Sequence, residues 1–275
     1  MTTALRPLST GELLDRTFAL YRSHFGLFIG IFALPHLAVL AFQCLGVAIQ
    51  NPGNRLANAL LTFLWAMGAL VLQVVVGAAS QAATVVAVSD VHLDRPSSIK
   101  DSFARVKSHI PGVIWVSVLV SLGVGAGFIA LVVPGILLAM MWSLSVQVKV
   151  LENKSASESM SRSSDLTKGD RGRIFVIWLL FVVLSIGVSF LLQWPIELLA
   201  GAGSRGALLR SGAGWQIASQ AVAFIAECLV GPLITIAFAL VYYDERVRKE
   251  AFDLQLMMST IDAATIPGSP AQVGA

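Results

Sequence analysis

The sequence predicts an all-α fold, a polytopic membrane helix bundle with six transmembrane helices and amphipathic interfacial helices ahead of spans one, three and five. Three observations predict it. First, 56% of the 275 residues are hydrophobic, only 13% are charged, and the mean hydropathy is +0.78. A soluble domain carries about 25% charged residues, so an ordinary water-soluble enzyme is excluded. Second, uncharged runs recur at the length of about 20 residues needed to cross the hydrocarbon core. Third, Lys and Arg crowd into alternate connections, which sets orientation. The high apolar content and a net charge of only +3 also exclude disorder. The pI near 9.1 comes with no basic cluster, so nucleic acid is not an expected partner; the lipid bilayer is.

The elements follow in chain order. Ser9 and Glu12 form an S-x-x-E capping box, in which each side chain satisfies an orphan N–H at a helix start. Leu14, Phe18, Tyr21 and Phe25 then fall on one stripe, the mark of an amphipathic helix resting in the membrane interface. Span one is 27–50, with Pro35 and His36, and span two is 56–89, long enough to tilt or protrude. Ser98 and Asp101 give a weaker cap before the stripe Ile99, Phe103, Val106 and Ile110. The uncharged run 110–148 is too long for one span. Pro134-Gly135 is expected to divide it into spans 110–132 and 135–148. Ser155 and Glu158 repeat the capping box, ahead of a more polar helix whose main apolar points are Met160 and Leu166. Span five is 174–195, and span six is 215–243, bent near Pro232 and interrupted only by Glu227.

The three pre-span helices suggest a repeated unit of interfacial helix plus membrane hairpin. Phe18-Ala19 and Arg22-Ser23-His24 match Phe103-Ala104 and Lys107-Ser108-His109 at an offset of 85, and the capping boxes recur at 146. Residues 1–261 thus read as a single membrane domain of three such units, and 262–275 as a disordered cytoplasmic tail. Of the 19 Lys and Arg residues, 16 lie on the side of both termini, so both termini are expected in the cytoplasm. No cleavable signal peptide is expected. Cys44 and Cys228 lie in apolar runs and read as packing thiols, not as a disulfide.

Several motifs carry a family resemblance. The chain opens with Leu5-Arg6-Pro7-Leu8-Ser9 and Gly11-Glu12-Leu13-Leu14-Asp15-Arg16. Its middle holds Val133-Pro134-Gly135-Ile136, Glu152, Arg162-Ser163 and Leu166-Thr167-Lys168-Gly169. It closes with Tyr242-Tyr243-Asp244-Glu245-Arg246-Val247-Arg248-Lys249-Glu250 and Phe252-Asp253-Leu254. Over about residues 5 to 258 this resembles bacterial membrane proteins of the glycerophosphoryl diester phosphodiesterase membrane-domain family. The resemblance implies a stand-alone membrane region in the bacterial cytoplasmic (inner) membrane. It does not imply the diesterase activity, which in combined proteins belongs to a separate soluble barrel. The histidines here, His24, His36, His92 and His109, are scattered, and no chain remains for a barrel of about 250 residues.

Candidate sites are few. Glu227 is the only acid deep in an expected span, and an intramembrane carboxylate is a functional candidate by default. The alternative is a neutral, hydrogen-bonded Glu227 that holds helices together, with Gln43, Gln73 or Gln81 as partner. His36, beside Pro35, is a second polar candidate, expected near a helix start at the interface. Gly201, Gly203 and Gly206 spell G-x-G-x-x-G but follow a membrane span instead of a strand, so they read as a loop, not a nucleotide site. Gly123 and Gly127 form G-x-x-x-G, expected to pack within the bundle, with an oligomer contact as the second use. Tyr243, Asp244, Arg246, Arg248, Glu250, Phe252 and Asp253 form either a solvated helix laced by i,i+4 pairs or a docking face for a cytosolic or membrane protein partner. No catalytic, cofactor or metal constellation is recognisable. The expected function is a non-enzymatic scaffold or assembly factor acting through its cytoplasmic helices. The alternative is a transporter or lipid-handling protein with a polar path at Glu227.

Overall fold

Backbone polar groups in hydrocarbon must be satisfied internally, so uncharged runs of this length fold as helices. The computed structural model describes residues 8–49, 55–92, 95–201 and 212–265, and among them the regular structure is entirely α-helical. The elements are α1 (Thr10–Ser23), α2 (Phe25–Ile49), α3 (Arg55–His92), α4 (Ile99–Val106), α5 (Ile110–Ala130), α6 (Val132–Met141), α7 (Ser145–Glu152), α8 (Ala156–Thr167), α9 (Arg171–Ala200) and α10 (Ala213–Thr265). Among the described residues six segments are long and apolar enough to cross a membrane, the fourth being α6 and α7 together, Val132–Glu152. The chain is therefore a multi-pass membrane protein. The glycine-rich run after Gly201 and the chain beyond 265 lie outside the described residues, and α10 runs three residues past the point where the tail was expected to begin.

The start signals work as the sequence implies. The Ser9 hydroxyl accepts from the Glu12 N–H at 3.3 Å, and the Glu12 carboxylate accepts from the Ser9 N–H at 2.8 Å. Ser155 and Glu158 make the same pair of bonds, at 3.3 and 2.9 Å. Those bonds from Ser155 hold the exposed Glu158 carboxyl below the usual carboxylate range. Ser98 caps α4 by accepting from the Asp101 N–H at 3.1 Å, without the reciprocal backbone bond of a full box.

Two boundaries differ from expectation. The third and fourth spans separate at Leu131, whose extended backbone (φ −167°, ψ 154°) ends α5, not at Pro134-Gly135. Pro134 instead sits in the first turn of α6, where a backbone N–H has no intrahelical acceptor and its loss costs nothing. The fourth span is also not one helix. It stops at Met141, turns through 142–144 and restarts at Ser145.

The sixth span is the axis of the bundle. Most of it is buried, whereas the outer half of α3 leaves Leu56, Leu60, Phe63 and Leu64 exposed, as lipid-facing residues are. Around α10 pack Phe28 and Ile31 of α2, the small Ala78, Ala82 and Ala83 of α3, and Phe181 of α9. The pre-span helices dock through apolar residues, with Leu13 of α1, Val106 of α4 and Leu166 of α8 buried, and through small hydroxyl residues beside them. Thr17 of α1, Ser102 of α4, and Ser159, Ser163 and Thr167 of α8 are all fully buried, while Phe18 is 42% exposed. Small side chains let helices approach closely. Thr17, Ser102 and Ser163 are also related by the offsets of 85 and 146. The two ends of α1 both reach α10. The Leu8 N–H donates to Asp244, and the Tyr21 hydroxyl donates to the Leu229 carbonyl at 2.9 Å. Burial pushes the Tyr21 hydroxyl up to about 12, so it stays a donor.

Candidate functional site

Glu227 faces α2 and α3 at once. Its Oε1 accepts from Gln73 Nε2 at 2.8 Å and lies 3.3 Å from His36 Nε2. Gln73 is thus the partner among the three glutamines named from sequence. His36 is not at a helix start near the interface. It sits midway along α2, 2% exposed, stacked on Phe32 with ring centroids 5.6 Å apart. The register explains the depth: α2 begins at Phe25, directly after α1, so eleven residues of helix precede His36.

The protons on this pair follow from its neighbours. His36 Nδ1 is 2.8 Å from the Phe32 carbonyl oxygen, which only accepts, so Nδ1 carries a hydrogen. Nε2 then meets Glu227 Oε1 across a gap that one proton satisfies. The pair is either imidazolium with carboxylate or imidazole with carboxylic acid, and both forms are neutral as a pair. Without that proton two lone pairs face each other. The Glu227 side chain is 43% exposed on the surface of the bundle.

The same three helices continue the polar character toward the start of α3 and α10. A cavity of about 260 Å³ is lined by Gln43, Asn58, Thr62, Trp65, Gln216 and Gln220. Gln43 lies seven residues from His36, and Gln220 and Gln216 lie seven and eleven from Glu227, so each set shares one helix face. Asn58 Oδ1 is buried without a hydrogen-bond partner among the described residues. Periodicity at seven and eleven was the available signal for this row. In single runs of apolar sequence, isolated glutamines do not reveal that three helices bring them together.

No family model, curated protein or solved structure matches this chain.

The charged end of α10 turns inward. Asp244 is 2% exposed in its side chain and accepts from Arg173 at 2.5 Å, Arg248 at 2.9 Å and the Leu8 N–H at 2.7 Å. Arg173 also reaches Glu245 and the Leu8 carbonyl, and Arg248 donates to that carbonyl too. Glu250 binds Arg162 and Arg246. Tyr242 donates to Glu152, which also binds Lys154 and Arg162, while Tyr243 packs edge-on against Tyr242. Two of the expected i,i+4 pairs form, Asp244 with Arg248 and Arg246 with Glu250. Lys249 instead caps α8, donating to the carbonyls of Asp165, Leu166 and Lys168 at 2.9, 2.6 and 2.7 Å. The end of an α-helix presents such orphan carbonyls, and a cation there is favourable. The side chains of Phe252 and Asp253 lie outside the described residues. The motif therefore ties α1, α8 and α9 to α10 and puts the N-terminal segment at the same end of the bundle as the close of span six.

Gly123 and Gly127 are used within the hairpin. A Cβ on Gly123 would collide with the Trp142 ring, and one on Gly127 would meet the Gly135 backbone at 3.0 Å. Among the described residues no group of His, Cys, Asp and Glu is arranged to hold a metal ion.

Proposed function

We propose that this protein is a proton-linked transporter or lipid-handling protein whose protonation site is the Glu227–His36 pair. The observation that carries the reading is the 3.3 Å approach of His36 Nε2 to Glu227 Oε1, with the Phe32 carbonyl 2.8 Å from the other ring nitrogen. Intramembrane ionisable residues that pair with one another mark substrate and proton paths. The polar cavity lined by the same helices supports the same reading. The scaffold reading has less support, because Asp244, Arg248 and Glu250 already bind residues of this chain. Kinship with the glycerophosphoryl diester phosphodiesterase membrane domains is proposed on the opening, central and closing motifs alone.

We further propose placement in a bacterial cytoplasmic membrane with both termini inside, from the 16 of 19 cations on that side. Reporter fusions after Asn51, Val133 and Gly203 should read outside, and fusions after Pro96, Asn153 and Lys249 inside. Two reversed sites overturn this topology. For the function, a deletion strain is complemented with wild type or Glu227→Gln, and its lipids and small metabolites are compared. The Gln variant should reach wild-type levels in the membrane yet fail to restore the wild-type profile. Full restoration returns the assignment to a scaffold.

A further inference from the structure

A second polar site lies where the fourth span breaks. The span covers Val132–Glu152, and the turn 142–144 falls at its centre. The break is clasped by α8. Ser163 Oγ donates to the Met141 carbonyl at 2.8 Å and accepts from the Leu144 N–H at 3.1 Å. Those bonds satisfy the interrupted backbone, so the turn persists with no ligand. Beside it is a cavity of about 240 Å³, lined by Gln81, Ser143, Gln147, Trp178, Thr235 and Phe238 among others.

Three features define what it takes. Gln147 is 5% exposed, and its Oε1 has no hydrogen-bond partner among the described residues. A buried acceptor without a donor is costly, so the cavity calls for an O–H or N–H. No charged residue lines it, which excludes an anionic or cationic head. Gln81, on α3, lines the cavity and is exposed within a segment apolar enough to cross a membrane. The volume is below the roughly 300–1,000 Å³ of sites that enclose a drug-sized ligand. It holds a small head while a chain stays outside, and Trp178, Phe238 and Ile234 supply apolar wall for the first carbons. Broken spans with polar linings near the midplane are where membrane proteins bind their substrates.

We propose that this cavity binds the hydroxyl head of a neutral lipid, with Gln147 Oε1 accepting from the lipid hydroxyl. The site shares no residue with the Glu227–His36 pair and stands or falls separately from it. The test uses the full chain in phosphatidylcholine nanodiscs containing diacylglycerol with a diazirine beside its ester groups. A diazirine-bearing phosphatidylglycerol is the charged comparator. Diacylglycerol should label peptides holding residues 139–147 and 234–238, and phosphatidylglycerol should not. Gln147→Leu should lower that labelling about fivefold, the worth of one hydrogen bond, and Ala139→Trp, which fills the cavity, should abolish it. If either variant is unfolded by thermal melt, competition on wild type decides, with unlabelled diacylglycerol displacing the label and phosphatidylcholine failing to. Equal labelling by both lipids, labelling elsewhere, or labelling unchanged in folded Gln147→Leu overturns the proposal. Displacement by free glycerol assigns the site to a water-soluble polyol and overturns it as well.

Discussion

Removing one partner of the Glu227–His36 pair should cost more than removing both. Glu227→Leu leaves Gln73 without an acceptor and His36 Nε2 without a partner. Gln73 is half-buried and finds other partners, but His36 Nε2 belongs to a side chain only 2% exposed. Stranding such a group costs about 1–3 kcal/mol in general. Side-chain hydrogen bonds between membrane helices average about 0.6 and reach about 1.7 kcal/mol, since the unfolded chain in a membrane also finds partners. The expected loss for Glu227→Leu is therefore about 1–2 kcal/mol. Glu227→Gln keeps an acceptor for Gln73 and a donor for His36, and should lose less than about 1 kcal/mol. His36→Phe preserves the stack on Phe32. Combined with Glu227→Leu it replaces both polar groups with apolar ones, which is often nearly neutral. The double variant should therefore be more stable than Glu227→Leu alone, and its loss should fall short of the sum of the single variants by about 1 kcal/mol or more. Equilibrium unfolding in mixed micelles, read by tryptophan fluorescence, measures the cycle. A coupling near zero, or Glu227→Gln as damaging as Glu227→Leu, refutes the shared proton and the contact with it.

Three further outcomes follow from other contacts. Ser163→Ala strands the Leu144 N–H and leaves the Met141 carbonyl only the longer bond from the Thr167 hydroxyl at 3.4 Å, and should destabilise by about 1–3 kcal/mol; hydrogen exchange should quicken at 142–144 and not in α2, and uniform quickening would deny Ser163 a local role. Arg173→Leu removes the arginine from the buried Glu245 and one of the two arginines from the buried Asp244, which keeps Arg248, so it should be the most damaging, at about 3–5 kcal/mol, with Arg173→Lys intermediate; an Arg173→Leu protein as stable as wild type would break the account of the charged end. The Glu158 carboxyl is held below its ordinary range in the folded chain, so its contribution is present at neutral pH and lost as pH falls through that lowered value. Amide protection factors in the first turn of α8, which remove the intrinsic pH dependence of exchange, should fall on acidification in wild type but not in Glu158→Gln; identical acid responses would remove the capping box from the explanation.

The order of helices was legible from the chain alone because both signals that specify it are local. An uncharged run has to be helical in hydrocarbon, and a capping box is complete within four residues, as at Ser9–Glu12 and Ser155–Glu158. Glu227 stood out for the same reason, as a lone charge in an apolar run. What escaped depends on residues distant in sequence. The break after Met141 has no proline or glycine within it; it is stabilised by Ser163, which lies in another helix. The closing motif reads as an exposed charge ladder because its true partners, Leu8, Glu152, Arg162 and Arg173, are 71 to 240 residues away. His36 seemed peripheral because the apolar run was counted from Leu27, whereas its surroundings are set by the crossing of α2 with α10. The sequence by itself therefore determined which segments are helices and that six of them suit a membrane, since burial of backbone in hydrocarbon leaves no other choice. Only the tertiary structure decided which polar side chains meet, because a hydrogen bond or ion pair between helices depends on register and crossing geometry that no single helix encodes.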